Sequence, residues 1–292
     1  MSTARTESKR VKTLRLRIAR ELPKFPNDKN TVKALESESL ATLLIHYTNW
    51  AIRYVSRRPR AVQIESTASS DSRWPTLKPE IESFLEKVKR GDDLTPHLSL
   101  DPHTRGYTAT SSMKGGQVDR WADKDFLLIV MGYHHFHLSL NIEPKGFVTR
   151  TNDLLFAKVS RHHFIVMAIF DHSVFDISRT SNGDMTNERE RLWAIFDAYS
   201  TRGLPPRSVY VPAMIATSGH SLHLVRLAQE YARIVREMDP KLDDRLYIQG
   251  MYQRAGVQCP KKPKVAWHLN VLDLGLLDLS SNMFFVFKYG PN

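Results

Sequence analysis

Apolar residues in the first third of the chain recur every three or four positions, the spacing of a helix that packs on one side. This spacing predicts one helix over Thr31–Arg57, which ends there because Pro59 disfavours helical backbone in the residue before it. A second helix is predicted over Pro79–Arg90, where Gly91 supplies the stop. The Ser-, Thr- and Pro-rich residues 64–78 between them predict a loop.

The middle of the chain changes to a pattern typical of strands. The apolar run Phe126–Met131 fits either a buried strand or a buried helical segment, whereas Tyr133–Leu138 alternates as a strand does. Two further strands are predicted over Leu154–Val159 and Phe164–Phe170, and Ser160–His163 joins them at hairpin length. These strands predict a mostly antiparallel sheet.

The last third returns to helical periodicity before it ends in strands. Helices are predicted over residues 186–200 and over His220–Met238, the second with Ser218 as its N-cap and Asp239 at its end. The apolar run Met283–Phe287 predicts a terminal strand. The whole pattern predicts an α+β protein with a central, mostly antiparallel sheet and helical additions on both sides.

Composition divides the chain into four segments. Residues 1–30 predict a basic N-terminal arm or, equally, a basic surface helix, and residues 31–118 predict a helical region. Residues 119–180 form the predicted histidine-rich β core. Residues 181–292 predict a C-terminal helical region with terminal strands that pack on the core.

The chain has 292 residues and a formal net charge of +11, which predicts attraction to polyanions, RNA before DNA. Hydrophobic residues make up 41% and charged residues 25%, the balance of a folded globular protein. A single cysteine, Cys259, excludes a disulfide within the chain and suits a reducing compartment. No apolar run approaches the about 18 residues of a transmembrane helix, so a cytoplasmic protein with no membrane partner is predicted.

Six of the 12 histidines lie between His134 and His172. Along a strand, His135 and His137 project to one face and His134 to the other. Two imidazoles on one face can bind a metal, transfer protons near neutral pH, or bind phosphate when charged. Buried histidines with satisfied hydrogen bonds have a purely structural role, and that alternative stays open.

One sequence motif supports the metal interpretation. His135-Phe136-His137 followed by Glu143 resembles the first motif of the cupin family, in which a His-x-His pair and a glutamate bind a metal. The spacing to Glu143 is longer than in that motif, and no second motif follows downstream. A metal or other cofactor is therefore not part of the leading prediction.

The order of strands in residues 122–176 supports a different hypothesis. Leu155–Val159 followed by Phe164–Phe170 resembles the core sheet of RelE/ParE-type toxins. In that family the last core strand runs into Gly-His-Arg and then a tyrosine, and here Asp171–Ser173 and Phe175 stand at those places, so the histidine alone matches. The resemblance implies a ribonuclease acting on mRNA, or a protein that blocks a nucleic-acid machine without cutting, with a protein antitoxin as partner.

Metal-free RNA cleavage needs a base for the 2′-hydroxyl, an acid for the leaving oxygen, and cations for the charge on the phosphorane-like transition state. The predicted roles are His135 or His137 as general base and His172 as general acid. Lys158 and Arg161 are predicted to bind phosphate. The leading hypothesis is thus a cytoplasmic, toxin-like, metal-independent ribonuclease. The alternatives are a non-catalytic nucleic-acid-binding or regulatory protein and a His-ligated metal-dependent enzyme.

A second candidate anion site precedes the helix predicted from His220. Ser218 and His220 lie at its N-terminus, where free backbone N–H groups and the helix dipole favour phosphate. The alternative for Ser218 is a plain N-cap.

Overall fold

The computed structural model describes residues 7–99, 106–107, 125, 127–176, 185–211, 214–216 and 219–292. They fall into two compact units that the chain enters more than once. Unit 1 draws on Met1–Ile52, Asp101–Lys124 and Ala216–Pro291, and unit 2 on Arg53–Leu100, Asp125–Ile215 and Asn292. This division cuts across the four segments expected from composition.

Unit 2 is built on a four-stranded sheet. Its strands are β1 (Ala61–Ile64), β2 (Tyr133–His137), β3 (Asp153–Val159) and β4 (His163–Asp171). Their order is β1-β4-β3-β2, with β1 parallel to β4 and the other neighbours antiparallel. The predicted strands in the middle of the chain are confirmed. The strand β1 was not predicted, because it is only four residues long and largely exposed, so it carries no apolar alternation.

Helices cover both faces of this sheet. They are α4 (Ser66–Ser69), α5 (Trp74–Arg90) and α6 (Asn187–Ser200), with a π-helical turn at Leu127–Met131 and 3-10 turns at Thr95–His97 and His172–Phe175. On one face Phe84 of α5 packs against Phe136 and Phe164. On the other face Phe196 of α6 packs against Tyr133. The π-helical turn settles the ambiguous apolar run as helical.

Unit 1 combines five helices of the described residues with a three-stranded antiparallel sheet. The helices are α1 (Lys9–Glu21), α2 (Lys29–Ser37), α3 (Leu40–Ala51), α7 (Leu222–Met238) and α8 (Arg245–Arg254), with a 3-10 turn at Asp239–Asp243. The strands are β5 (Val265–Asn270), β6 (Asp273–Asp278) and β7 (Phe284–Lys288), in the order β5-β6-β7. Helices and sheets occur as separate groups, so the α+β class is confirmed.

The N-terminal helices bear on two predictions. Of the two alternatives for residues 1–30, the helix is the one observed: Lys9–Glu21 form a capped helix and not an arm, and its Leu14 and Ile18 are buried in the core of unit 1. The single helix predicted over residues 31–57 is two helices, since Ser39 caps the second by accepting the backbone N–H of Thr42.

The start of α7 corrects a third prediction. The N-cap position is Ser221, three residues after the predicted Ser218, which lies outside the described residues. His220 therefore precedes the helix and is not part of it. Helix α5 ends where predicted, at Gly91, whose φ of 79° is left-handed backbone that glycine adopts without strain.

Candidate functional site

Three of the predicted imidazoles lie together at one end of the sheet in unit 2, and we call His135, His137 and His172 the histidine cluster. Strand alternation puts the first two on the face of β2 that α6 covers. Because Asp153 pairs with Asp171 across β3 and β4, the residue after β4 arrives at the same end. The ring centroids of His137 and His172 are 5.8 Å apart. The ring of Phe175 lies 5.0 Å from that of His135 and 5.8 Å from that of His172.

His137 is the most constrained member of the cluster. It is only 1% exposed, and its Nδ1 accepts the backbone N–H of Thr151 at 3.1 Å. An accepting Nδ1 places the proton on Nε2 of a neutral ring. Burial, reinforced by the charge of Arg150, lowers the pKa of His137 to about 3. This geometry fixes His137 as a neutral donor through Nε2 and disfavours it as the general base.

His135 lies close to the carboxylate of Asp125. Its Nδ1 lies 3.8 Å from Oδ2 of Asp125, an ion-pair distance that is too long for a hydrogen bond. The same carboxylate oxygen lies 3.6 Å from the guanidinium of Arg53. Burial lowers the pKa of His135, and Asp125 opposes that shift. The ring is therefore neutral at pH 7, in the state that accepts a proton, with a carboxylate placed to stabilise the imidazolium that forms.

His172 is the exposed member of the cluster. Its Nε2 lies 3.2 Å from the carbonyl oxygen of Thr151, to which it donates. The preceding Asp171 holds the turn in place, since its carboxylate accepts the backbone N–H of Ser173 at 2.8 Å and the hydroxyl of Ser173 at 2.6 Å. An exposed imidazole that is anchored by a backbone carbonyl is accessible to a substrate, as a general acid must be.

Two arginines bring positive charge to the cluster. Arg53 is 8% exposed, and the exposed Arg150 donates to the carbonyl of Leu98 at 3.0 Å. Both charges lower the pKa of His135. Arg150 was not predicted from sequence, although its position three residues before β3 places it at the strand end that carries the histidines.

The predicted phosphate ligands Lys158 and Arg161 lie elsewhere. The strand register pairs Lys158 with Tyr133 and Leu154 with His137. Four residues of extended strand, about 13 Å, therefore separate Lys158 from the level of His137. The Nζ atom of Lys158 lies 5.0 Å from the ring centroid of Tyr199. Arg161 is in the turn beyond β3, so the structure does not bring these cations to the histidine cluster.

His220, the other predicted phosphate ligand, is in unit 1. It is 6% exposed, and its ring centroid lies 5.7 Å from that of His46, which in turn lies 5.4 Å from that of Tyr107. The ring is thus enclosed by other rings. Its proposed companion Ser218 is outside the described residues, so the site they would form together stays a prediction.

A polar groove of about 800 Å³ lies beside the loop before α5 and one side of α6. Its charged lining consists of Asp71, Arg73, Glu188 and Arg191. Arg191 forms ion pairs with Asp71 and, at 3.1 Å, with Glu188. Arg73 lies 2.9 Å from Asp71 and 3.3 Å from Glu188. The charges compensate each other, so these residues link the loop to α6 and leave no net charge for a ligand.

Among the described residues, no three His, Cys, Asp or Glu side chains are grouped as metal ligands. Glu143, the third member of the cupin-like pattern, lies in an exposed turn. Within the same residues, no helix combines the length and apolar character that crossing a bilayer requires. Comparison with protein-family models, curated proteins and solved structures returned no match to this chain.

Proposed function

We propose that this chain is a metal-independent ribonuclease whose proton transfers take place at the histidine cluster. The observation that carries the proposal is the convergence of His135, His137 and His172 with Arg53 and Arg150 at one end of one sheet. Acid–base groups of this kind contribute about 10²–10⁴-fold each to a rate. The net charge of +11 and the toxin-like strand order favour RNA as the substrate.

The proposed reaction assigns one proton transfer to each of two rings. His135 takes the proton of a 2′-hydroxyl as that oxygen attacks phosphorus, and Asp125 stabilises the resulting imidazolium. The P–O5′ bond breaks, and His172 gives its proton to the departing 5′-oxygen. The products are a 2′,3′-cyclic phosphate and a free 5′-hydroxyl, so atoms and charge balance without a metal or an oxidant.

The other residues orient and stabilise. His137, neutral and held by Thr151, donates through Nε2 and keeps the cluster from carrying three positive charges. Arg53 and Arg150 stabilise the negative charge that develops on the phosphoryl oxygens, as positioned cations do. His137 is thereby a positioning residue. Of the two candidates for the general base, His135 is the one that we propose.

Incubation of the purified protein with total RNA, in excess chelator and with or without ribosomes, tests this proposal. We expect cleavage that persists in chelator and falls by about 100-fold or more in His135→Ala. The matched control is His223→Ala, because His223 is an exposed histidine of unit 1 outside the cluster. RNA that stays intact in every arm would contradict the proposal.

Two other outcomes would favour the alternative functions. Salt-sensitive RNA or DNA binding without cleavage, unchanged by alanine at the three cluster histidines, would indicate a non-catalytic nucleic-acid-binding protein. A stoichiometric metal in the purified protein that is lost in His137→Ala would indicate a metal-dependent enzyme.

A further inference from the structure

A buried arginine lies at the opposite end of the same sheet. Arg60 is only 4% exposed, and within the described part of the chain its guanidinium donates to neutral oxygens alone. Two belong to Ser56, the carbonyl at 2.9 Å and the hydroxyl at 2.9 Å; the others are the carbonyls of Arg58 at 3.2 Å and Ser160 at 2.8 Å. No carboxylate of the described residues lies within 4 Å of it.

Among the residues that the structure describes, the buried charge of Arg60 has no counter-ion. Neutral acceptors satisfy the N–H groups of Arg60, but they do not cancel its charge, and a buried charge is costly unless it is paired. Burial, reinforced by the positive charges of Arg58 and Arg161, lowers the pKa of Arg60 to about 10. The site around Arg60 therefore has a positive electrostatic potential, and a bound anion would compensate this charge.

Exposed donors lie at the same end of the sheet. The parallel register pairs Ala61 with His163, and the backbone N–H of Ala61 donates to the carbonyl of His162 at 2.9 Å. His162 and His163 are both exposed in the turn between β3 and β4. Lys158 is also exposed at this end of β3, and no carboxylate of the described residues lies within 4 Å of its Nζ. We call Lys158, Arg161, His162 and His163, which share this end of the sheet with the buried Arg60, the turn patch.

We infer that the turn patch binds the phosphates of a single nucleic-acid strand. Arg60 fixes the two backbone segments of the patch and supplies positive potential from below. The side chains of Lys158, Arg161, His162 and His163 supply the hydrogen-bond donors, as in other phosphate-positioning surfaces. Its identity as an RNA subsite rests on the proposed function, but phosphate binding itself does not.

The position of the patch relates it to the histidine cluster. Lys158 lies on the same sheet face as His135, about 13 Å along β3 from the level of His137. A strand cleaved at the cluster thus has to extend over several nucleotides to reach the patch. The inferred substrate is therefore single-stranded RNA longer than a dinucleotide.

The test measures binding without cleavage. Lys158→Gln combined with Arg161→Gln removes two cations, the exposed Lys158 and the half-buried Arg161, and leaves Arg60, with its structural bonds, intact. The matched control is Lys145→Gln, since Lys145 is an exposed lysine in the turn after β2. The probe is a single-stranded DNA oligonucleotide, which has no 2′-hydroxyl to attack, and the readout is its dissociation constant over a series of salt concentrations.

We expect the double variant to bind more weakly and to lose about 1.4 from the slope of log K against log salt, about 0.7 for each lost phosphate contact. The control should keep the wild-type slope. A double variant with the wild-type slope would overturn the inference, and so would binding to anionic phospholipid vesicles without binding to the oligonucleotide.

The outcome separates this inference from the proposed ribonuclease. One outcome is oligonucleotide binding that depends on Lys158 and Arg161, together with intact RNA in the cleavage assay. This result would support the turn patch as a phosphate site and contradict the proposed ribonuclease. RNA cleavage that depends on His135, together with an unchanged salt slope in the double variant, would do the reverse.

Discussion

The two ends of the sheet in unit 2 carry the same types of basic residue in opposite settings. At the histidine end, burial keeps His135 and His137 neutral, Asp125 lies beside the ring of His135, and Thr151 donates to His137. At the turn end, Arg60 is buried among neutral oxygens. The first setting suits the movement of protons, and the second suits the attraction of an anion that stays intact.

The comparison shows why residue type alone does not define a site. His162 and His163 belong to the same run of histidines as the cluster, yet they lie in an exposed turn at the other end of β4. An imidazole becomes a candidate acid or base through its neighbours, which are a carboxylate for His135 and an anchoring carbonyl for His172.

The largest expected effect is on cleavage at the histidine end. His172→Ala removes the proposed acid from an exposed position, so the fold should keep its stability while the rate falls by about 100-fold or more. Initial rates on total RNA, with thermal unfolding as the check on folding, measure this. His223→Ala should keep the wild-type rate. A His172→Ala protein as fast as this control would contradict the assignment of acid–base chemistry to the histidine end of the sheet.

The next effect is on stability in acid. The pKa of His137 is about 3 in the folded chain, against about 6.5 in the unfolded chain. Between these values the unfolded chain binds a proton that the folded chain does not. The free energy of unfolding should therefore fall as the pH drops through this window, by up to about 1.4 kcal/mol per pH unit for this histidine.

Denaturant unfolding between these pH values measures that dependence. His137→Asn keeps an oxygen to accept the amide of Thr151 but cannot titrate, so its pH dependence should be shallower than that of wild type. His223→Asn should follow wild type. If the free energy of unfolding depended on pH equally in wild type and in His137→Asn, the pKa of His137 would be the same in the folded and unfolded chains, which would contradict the prediction.

The smallest expected effect is at the turn end. Sulfate at constant ionic strength should raise the melting temperature of wild type by more than that of the protein with Lys158→Gln and Arg161→Gln, because an anion that binds only the folded state stabilises it. The comparison between proteins cancels the general stabilisation by sulfate. Equal shifts in both proteins would show that the turn end does not bind this anion.

Local patterns were enough to predict the strands that carry the cluster. Alternation over Tyr133–Leu138 placed His135 and His137 on one face, and His134, whose ring lies 6.1 Å from Phe136 of the other core, shows the same alternation. The end of α5 at Gly91 was likewise predictable, because left-handed backbone at a helix end favours glycine, which is a local requirement.

What sequence could not supply was register. Only the pairing of Lys158 with Tyr133 shows that this lysine is four residues along the strand from the histidine level. The same holds for Arg53 and Asp125, which are far apart in sequence and meet beside His135 through tertiary packing. The burial of Arg60 could not be predicted either, since basic residues on both sides of Pro59 fit a phosphate-contacting patch or a solvated helix end equally well.

The most direct test of the account compares two variants on two substrates. His172→Ala should be slow on ordinary RNA but close to the wild-type rate on RNA whose leaving 5′-oxygen is replaced by sulfur, because a thiolate leaves without a proton from an acid. His135→Ala should stay slow on both substrates, since the 2′-hydroxyl still needs its base. Equal slowing of the two variants on both substrates would contradict the assignment of base and acid to these two rings.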